Sequence, residues 1–138
     1  MIASPLDEDG LIARFFAPIA GPGGLGLRDD AALITPPPGH DLVVTVDGLV
    51  AGGHFFPDDP PAAIACKALR VNLSDLAAKG AAPLGFTLTL ALPRDWTADW
   101  LAAFAQGLGE DAETYGCPLL GGDTVKASGA LTLSLIHI

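Results

Sequence analysis

From Pro83 to Leu92, apolar Phe86, Leu88, Leu90 and Leu92 alternate with Thr87, Thr89 and Ala91. A period of two predicts a strand with one strongly apolar face. After Asp59 the spacing changes. Pro60-Pro61 opens a stretch in which Ile64, Ala68, Leu69, Leu73 and Leu76 fall on or near one helical face, which predicts a helix to Lys79 stopped by Gly80. The same helical period puts Trp100, Leu101, Phe104 and Leu108 on the buried side of a second helix, capped by Thr97 and ended by Gly116.

The flanks carry shorter signals. Ser4-Pro5 with Asp7 reads as a helix start, Leu11, Ile12, Phe15 and Phe16 form its apolar face, and Pro18 ends it. Ala31–Ile34 and the β-branched run Leu42–Val46, which stops at Asp47, predict a hairpin across the Pro-rich turn Thr35–His40. Pro118–Leu120 predicts a short strand, Gly121–Thr124 a loop, and Ala130–Ile138 another alternating strand. Gly21-Pro22-Gly23-Gly24-Leu25-Gly26 satisfies the Gly-x-Gly-x-x-Gly expression, but it follows a helix where dinucleotide binding needs a strand. A flexible surface loop is the expectation there.

Composition narrows the partners. The 138 residues are 50% hydrophobic, enough for a buried core, and carry a formal charge of −9. No basic stripe for nucleic acid is present, and an acidic protein that handles a phosphorylated small molecule needs divalent cations to hold it. Cys66 and Cys117 lie too far apart for a zinc knuckle or a disulfide framework. The N-terminus lacks a secretory pattern, and Gly80–Pro93 is too short for a membrane span, so a cytoplasmic location with no membrane partner is expected.

The candidate chemistry lies in carboxylates at element ends: Asp29-Asp30, Asp47, Asp75 and Asp123. Oxygen ligands without a His or Cys cluster favour hard cations such as Mg2+. Taken singly, an Asp in such a place is more often a cap or turn residue. Asp75 shares a helix face with Asn72 and Lys79, and an Asp75–Lys79 pair is the bland alternative, worth about 0.3 to 0.5 kcal/mol. Beside Asp123, Gly121-Gly122 leaves the backbone open to a phosphate. His54, in Gly52-Gly53-His54-Phe55-Phe56, is equally a phosphate donor or an exposed loop histidine.

In order and spacing, five segments resemble the N-terminal half of thiamine-monophosphate kinase: Leu27–Ala32, Thr45–Val50, Gly53-His54-Phe55, Lys67–Gly80 and Gly121–Thr124. The wider superfamily includes aminoimidazole ribonucleotide synthetase, selenophosphate synthetase and a hydrogenase maturation protein. The resemblance implies an α+β (mixed α/β) fold in which residues 1–138 form an N-terminal ATP- and Mg2+-binding and dimerisation domain. Its mostly antiparallel sheet would form half of a dimeric β-barrel, completed by a second subunit, with helices packed outside.

Carried over by position, Asp30, Asp47, Asp75 and Asp123 would be magnesium ligands, with Thr45 a further one. His54 would contact substrate, and Gly121 and Gly122 would line the ATP phosphates. At Val46 only the main-chain carbonyl could serve a metal, and Arg28 stands where many relatives have Gly, its positive charge equally able to repel a metal or to hold a phosphate. The implied reaction is ATP-dependent phosphorylation of thiamine monophosphate to thiamine diphosphate. The C-terminal substrate domain is missing from these 138 residues, so the isolated chain is expected to be inactive. Two alternatives stay open: a superfamily enzyme with a different acceptor, or a non-catalytic metal-binding and dimerisation module. Selenium phosphorylation is disfavoured because no reactive Cys stands near the N-terminus.

Overall fold

The computed structural model describes residues 6–138. One sheet contains β1 (Thr45–Val50), β2 (Phe86–Leu92), β3 (Leu119–Lys126) and β4 (Thr132–His137), in the order β1-β4-β2-β3. β4 lies antiparallel between β1 and β2, whereas β2 and β3 are parallel. Parallel neighbours need a long crossover, and the helix α3 (Ala98–Tyr115) supplies it between β2 and β3. The helix α2 (Pro61–Ala78) likewise carries the chain from β1 to β2.

Register separates the two faces of the sheet. Thr45, His137 and Phe86 form one row, Asp47, Leu135 and Leu88 the next, and Leu49, Leu133 and Leu90 the third. Apart from Thr45 and Asp47, all of these are buried. Ile64, Ala65, Ala68 and Leu69 of α2 and Leu101, Phe104 and Leu108 of α3 join the same core. Each fully buried Leu or Phe contributes about 1.5 to 3 kcal/mol, so this face holds the domain together. The rows between them, Val46–Ile136–Thr87 and Gly48–Ser134–Thr89, point the other way and leave Val46 and Ile136 exposed.

Local chemistry explains the helices. Thr97 Oγ1 accepts from the Trp100 amide at 3.1 Å at the start of α3, and Gly116, left-handed at φ 60°, closes it. α2 and α3 approach so closely that a Cβ on Gly107 would lie 2.7 Å from the Ala62 Cα. Arg70 clamps the pair, donating from Nε and Nη2 to the two Asp111 oxygens at 2.7 and 2.8 Å. That hydrogen bonding holds the Asp111 carboxyl below the usual carboxylate range. Cys66 and Cys117 are both free thiols. Among the described residues no helix is long and apolar enough to cross a membrane.

Four expectations need correction. No strand forms over 31–34, so there is no hairpin; of the run 42–46 only Thr45 and Val46 are paired, and the strand continues through Asp47 to Val50. The physical reason is pairing: β1 takes its hydrogen bonds from β4, far along the chain, with Thr45 opposite His137 and Val50 opposite Thr132, and Leu33 bonds by its amide only to the Gly23 carbonyl at 2.8 Å. Gly121–Thr124 lies inside β3, where the parallel ladder with β2 extends it past the glycines. The 21–26 segment is short 3-10 turns docked on β3: the Gly21 amide donates to the Leu119 carbonyl at 2.7 Å, and Gly24 is buried. Beyond Pro18 the chain continues in a 3-10 turn to Ile19. The Ser4-Pro5 start lies outside the described residues; within them Asp7 Oδ1 accepts from the Gly10 amide at 2.9 Å and caps α1 (Glu8–Leu11).

His137 is the unusual member of the core. It is fully buried, stacks on Phe86 with ring centroids 5.2 Å apart, and neither ring nitrogen has a hydrogen-bond partner among the described residues. Burial pushes its pKa from the ordinary 6.5 down to about 4. Between those values the unfolded chain binds the proton and the folded one does not, so stability is full above pH 6.5 and declines as pH falls toward 4. The loss at the lower end is about 3 kcal/mol. Asp111 acts in a separate window, its contribution being lost only as pH falls below 3.8. Urea midpoints measured from pH 7 to pH 4.5 are expected to fall, and His137→Leu to flatten that dependence; an unchanged slope in the variant would contradict the assignment.

Candidate functional site: an acidic cleft beside the double glycine of β3

A cleft of about 530 Å³ opens between β3 and the segment that follows the 3-10 turns. One wall is Gly121, Gly122, Asp123 and Thr124; the other includes Arg28 and Asp30. The β3 wall owes its shape to an irregularity: Phe86 pairs with Leu119 and Thr87 with Gly121, so Leu120 is an extra residue that bulges the strand. Past the bulge, the Leu88 carbonyl occupies the space that a Cβ on Gly122 would need. At Gly121 nothing lies within 4 Å of such a Cβ. One glycine is therefore demanded by the sheet, while the other leaves open space beside the backbone of the cleft.

The opposite wall is set by left-handed backbone. Leu25, Gly26 and Leu27 have φ of 52°, 74° and 54°, and only the glycine adopts such values without strain. This turn delivers Arg28-Asp29-Asp30 to the cleft. Asp29 Oδ1 accepts from the Ala31 amide at 3.4 Å. Glu8 and Asp9 from the first turn of α1 also reach the cleft, so five carboxylates and one guanidinium line it.

The structure thus brings Asp30, Gly121, Gly122 and Asp123 together. Thr45, Asp47 and Asp75 lie elsewhere: they do not line the cleft. Thr45 Oγ1 donates to Asp75 Oδ2 at 3.2 Å, which ties β1 to α2, and Asp47 is two residues along the same face of β1. The Asp75–Lys79 pair does not form; among the described residues the one ion pair is Arg70–Asp111. His54 sits in the exposed turn after β1, where its Nδ1 accepts from the Val50 amide at 3.0 Å and its carbonyl accepts from Lys67. Among the described residues no three His, Cys, Asp or Glu side chains are grouped to hold a metal ion, so the four aspartates do not gather at one point.

Sequence reasoning missed Glu8, Asp9 and Thr124 as cleft residues. Acidic residues in a first turn are already explained by the helix dipole, which hides any second role. The Arg70–Asp111 clamp spans 41 residues and leaves no local signal.

An α+β domain with helices on one sheet face and an acidic, glycine-walled cleft defines a class. The family described as AIR synthase related protein, N-terminal domain, matches residues 28–138, and the chain belongs to it. Within that family its relatives are thiamine-monophosphate kinases. That of Caulobacter vibrioides is 45% identical over 134 residues, covering 96% of this chain and 38% of the relative. The crystal structure of the Stenotrophomonas maltophilia thiamine-monophosphate kinase is 44% identical with a TM-score of 0.73, over 80% of this chain and 34% of that one. The AaThiL complex with AMPPCP and TMP is 32% identical with a TM-score of 0.66, over 68% of this chain and 30% of that one. The chain therefore spans between 30% and 38% of the length of these three proteins.

The two glycines separate experimentally. Gly122→Ala is expected to lower stability by about 1 to 3 kcal/mol, because a backbone carbonyl has to move. Gly121→Ala, entering open space on a strand, is expected to stay within about 0.5 kcal/mol of the parent. Thermal unfolding of both variants checks this, and equal losses would contradict the geometry.

Proposed function

We propose that this chain is the nucleotide-binding and dimerisation part of an ATP-dependent thiamine-monophosphate kinase acting in the cytoplasm, with the substrate domain in the length of its relatives that it does not span. The observation that carries the reading is the cleft that joins Asp30 and Asp123 to the open backbone of Gly121-Gly122. A relative of the same fold in complex with AMPPCP, an analogue of ATP, and TMP supports it.

In the proposed reaction an oxygen of the acceptor phosphate bonds to the γ-phosphorus of ATP as the bond to the β–γ bridging oxygen breaks, and ADP leaves with those electrons. The acceptor oxygen is already anionic near neutral pH, so no general base is needed. The obstacle is charge: two like unit charges at 4 Å repel by about 4 kcal/mol at an effective dielectric near 20. The oxygen-only donor set fits a hard cation. Mg2+ commonly takes one or two carboxylates and completes its shell with substrate phosphates and water, so a protein cage of three or more side chains is not required. Magnesium, when bound, would neutralise phosphate oxygens and orient them. Asp30 and Asp123 would hold it in the cleft, while Asp75, Thr45 and Asp47, which lie outside the cleft on the β1–α2 side, would hold a separate ion. Gly121 and Gly122 would line the nucleotide phosphates, and His54 would contact the acceptor.

A homodimer accompanies this reading. The open face of the sheet exposes Val46 (59%), Val125 (42%), Ile136 (40%) and Val50 (38%), and packing that face against a second copy would close the half-barrel.

Calorimetric titration of the complete gene product with AMPPCP tests the site. Binding is expected with Mg2+ and not with EDTA, and Asp123→Asn is expected to weaken it at least tenfold while leaving the melting temperature within about 2 °C. Binding indifferent to Mg2+, or an undisturbed Asp123→Asn variant, would contradict the proposal.

A further inference from the structure

We infer that Arg28 is a phosphate-holding residue, a fixed cation that engages the phosphate chain of the nucleotide in the cleft; this rests on the kinase reading above. Three observations carry it. Arg28 is the one cationic side chain among the residues lining the cleft, against the carboxylates of Glu8, Asp9, Asp29, Asp30 and Asp123. Despite that company it forms no ion pair or side-chain hydrogen bond among the described residues, whereas Arg70, a surface arginine of the same chain, is bound through Nε and Nη2 to Asp111. Its side chain lies back over the left-handed turn, where a Cβ on Gly26 would be 3.9 Å from its Cγ and 4.0 Å from its Nε.

Exposed, and without an ion pair or side-chain hydrogen bond among the described residues, Arg28 is left open to a ligand. Its chemistry suits a polyanion: a guanidinium is planar and presents parallel N–H donors to two phosphate oxygens at once. Divalent cations must be captured from solution for each nucleotide, while Arg28 is always in place. The nucleotide is the phosphate source because Arg28 shares its cleft with Gly121 and Gly122, and His54, the residue proposed to meet the acceptor, lies outside it.

Arg28→Gln and Arg28→Lys in the complete gene product test this by calorimetry at saturating Mg2+, with AMPPCP and thiamine monophosphate titrated separately. Arg28→Gln is expected to weaken AMPPCP binding about tenfold, Arg28→Lys to recover part of that loss, and thiamine monophosphate affinity and melting temperature to stay unchanged. Unaltered or tighter AMPPCP binding in Arg28→Gln would overturn the inference and mark Arg28 as a group that opposes the metal. Loss confined to thiamine monophosphate would overturn it in favour of the acceptor phosphate. If the parent protein binds AMPPCP only without Mg2+, or not at all, the kinase reading fails and the inference with it; parent binding with an indifferent Arg28→Gln variant sinks the inference alone.

Discussion

Where β3 presses against β2, the Leu88 carbonyl fills the volume that any side chain at Gly122 would need, and the rest of the cleft is arranged around that contact. A parallel pair with a bulge at Leu120 turns Gly121 and Asp123 toward the space beside the sheet. The 3-10 turns from Pro22 to Leu27 dock on the same strand through the Gly21 amide, which fixes how far away Arg28 and Asp30 can sit. A shift of one residue in this pairing would exchange the faces of β3 and remove the cleft wall.

The two sheet faces divide the work. One is sealed by α2 and α3, held at close range by Gly107 against Ala62 and by the Arg70–Asp111 clamp. Within that layer His137 is stacked on Phe86 and kept neutral by burial, and its two ring nitrogens, unbonded among the described residues, cost stability and add none. The other face keeps Val46, Val50, Val125 and Ile136 in solvent.

Much of the fold was legible. The alternation of Phe86, Leu88, Leu90 and Leu92 and the helical spacings of α2 and α3 reappear nearly residue for residue, with Thr97 and Gly116 as caps. Local signals failed where tertiary pairing decides. Ala31–Ile34 has strand-like residues but no neighbouring strand, and Gly121–Thr124 has loop-like residues but a complete ladder with β2. The glycine cluster at 21–26 looked flexible because its order comes from bonds to Leu119, almost a hundred residues away. Of the candidate site, Asp30, Asp123 and the two glycines share a cleft. Asp75 and Thr45 meet each other, and His54 keeps to its own turn. Like-charged carboxylates have no reason to crowd together without a counter-charge, so sequence spacing alone could not fix their separation.

In the proposed function, nucleotide phosphates and a hard cation meet in the cleft. Substituting Mn2+ for Mg2+ in the presence of AMPPCP and following the amide resonances of the protein tests that most directly, because the paramagnetic ion broadens signals near it. Broadening is expected first at Asp29–Ala32 and Gly121–Thr124, dependent on the nucleotide, with Gln106–Glu113 of α3 untouched. Broadening centred on another part of the molecule, or none that depends on AMPPCP, would contradict it.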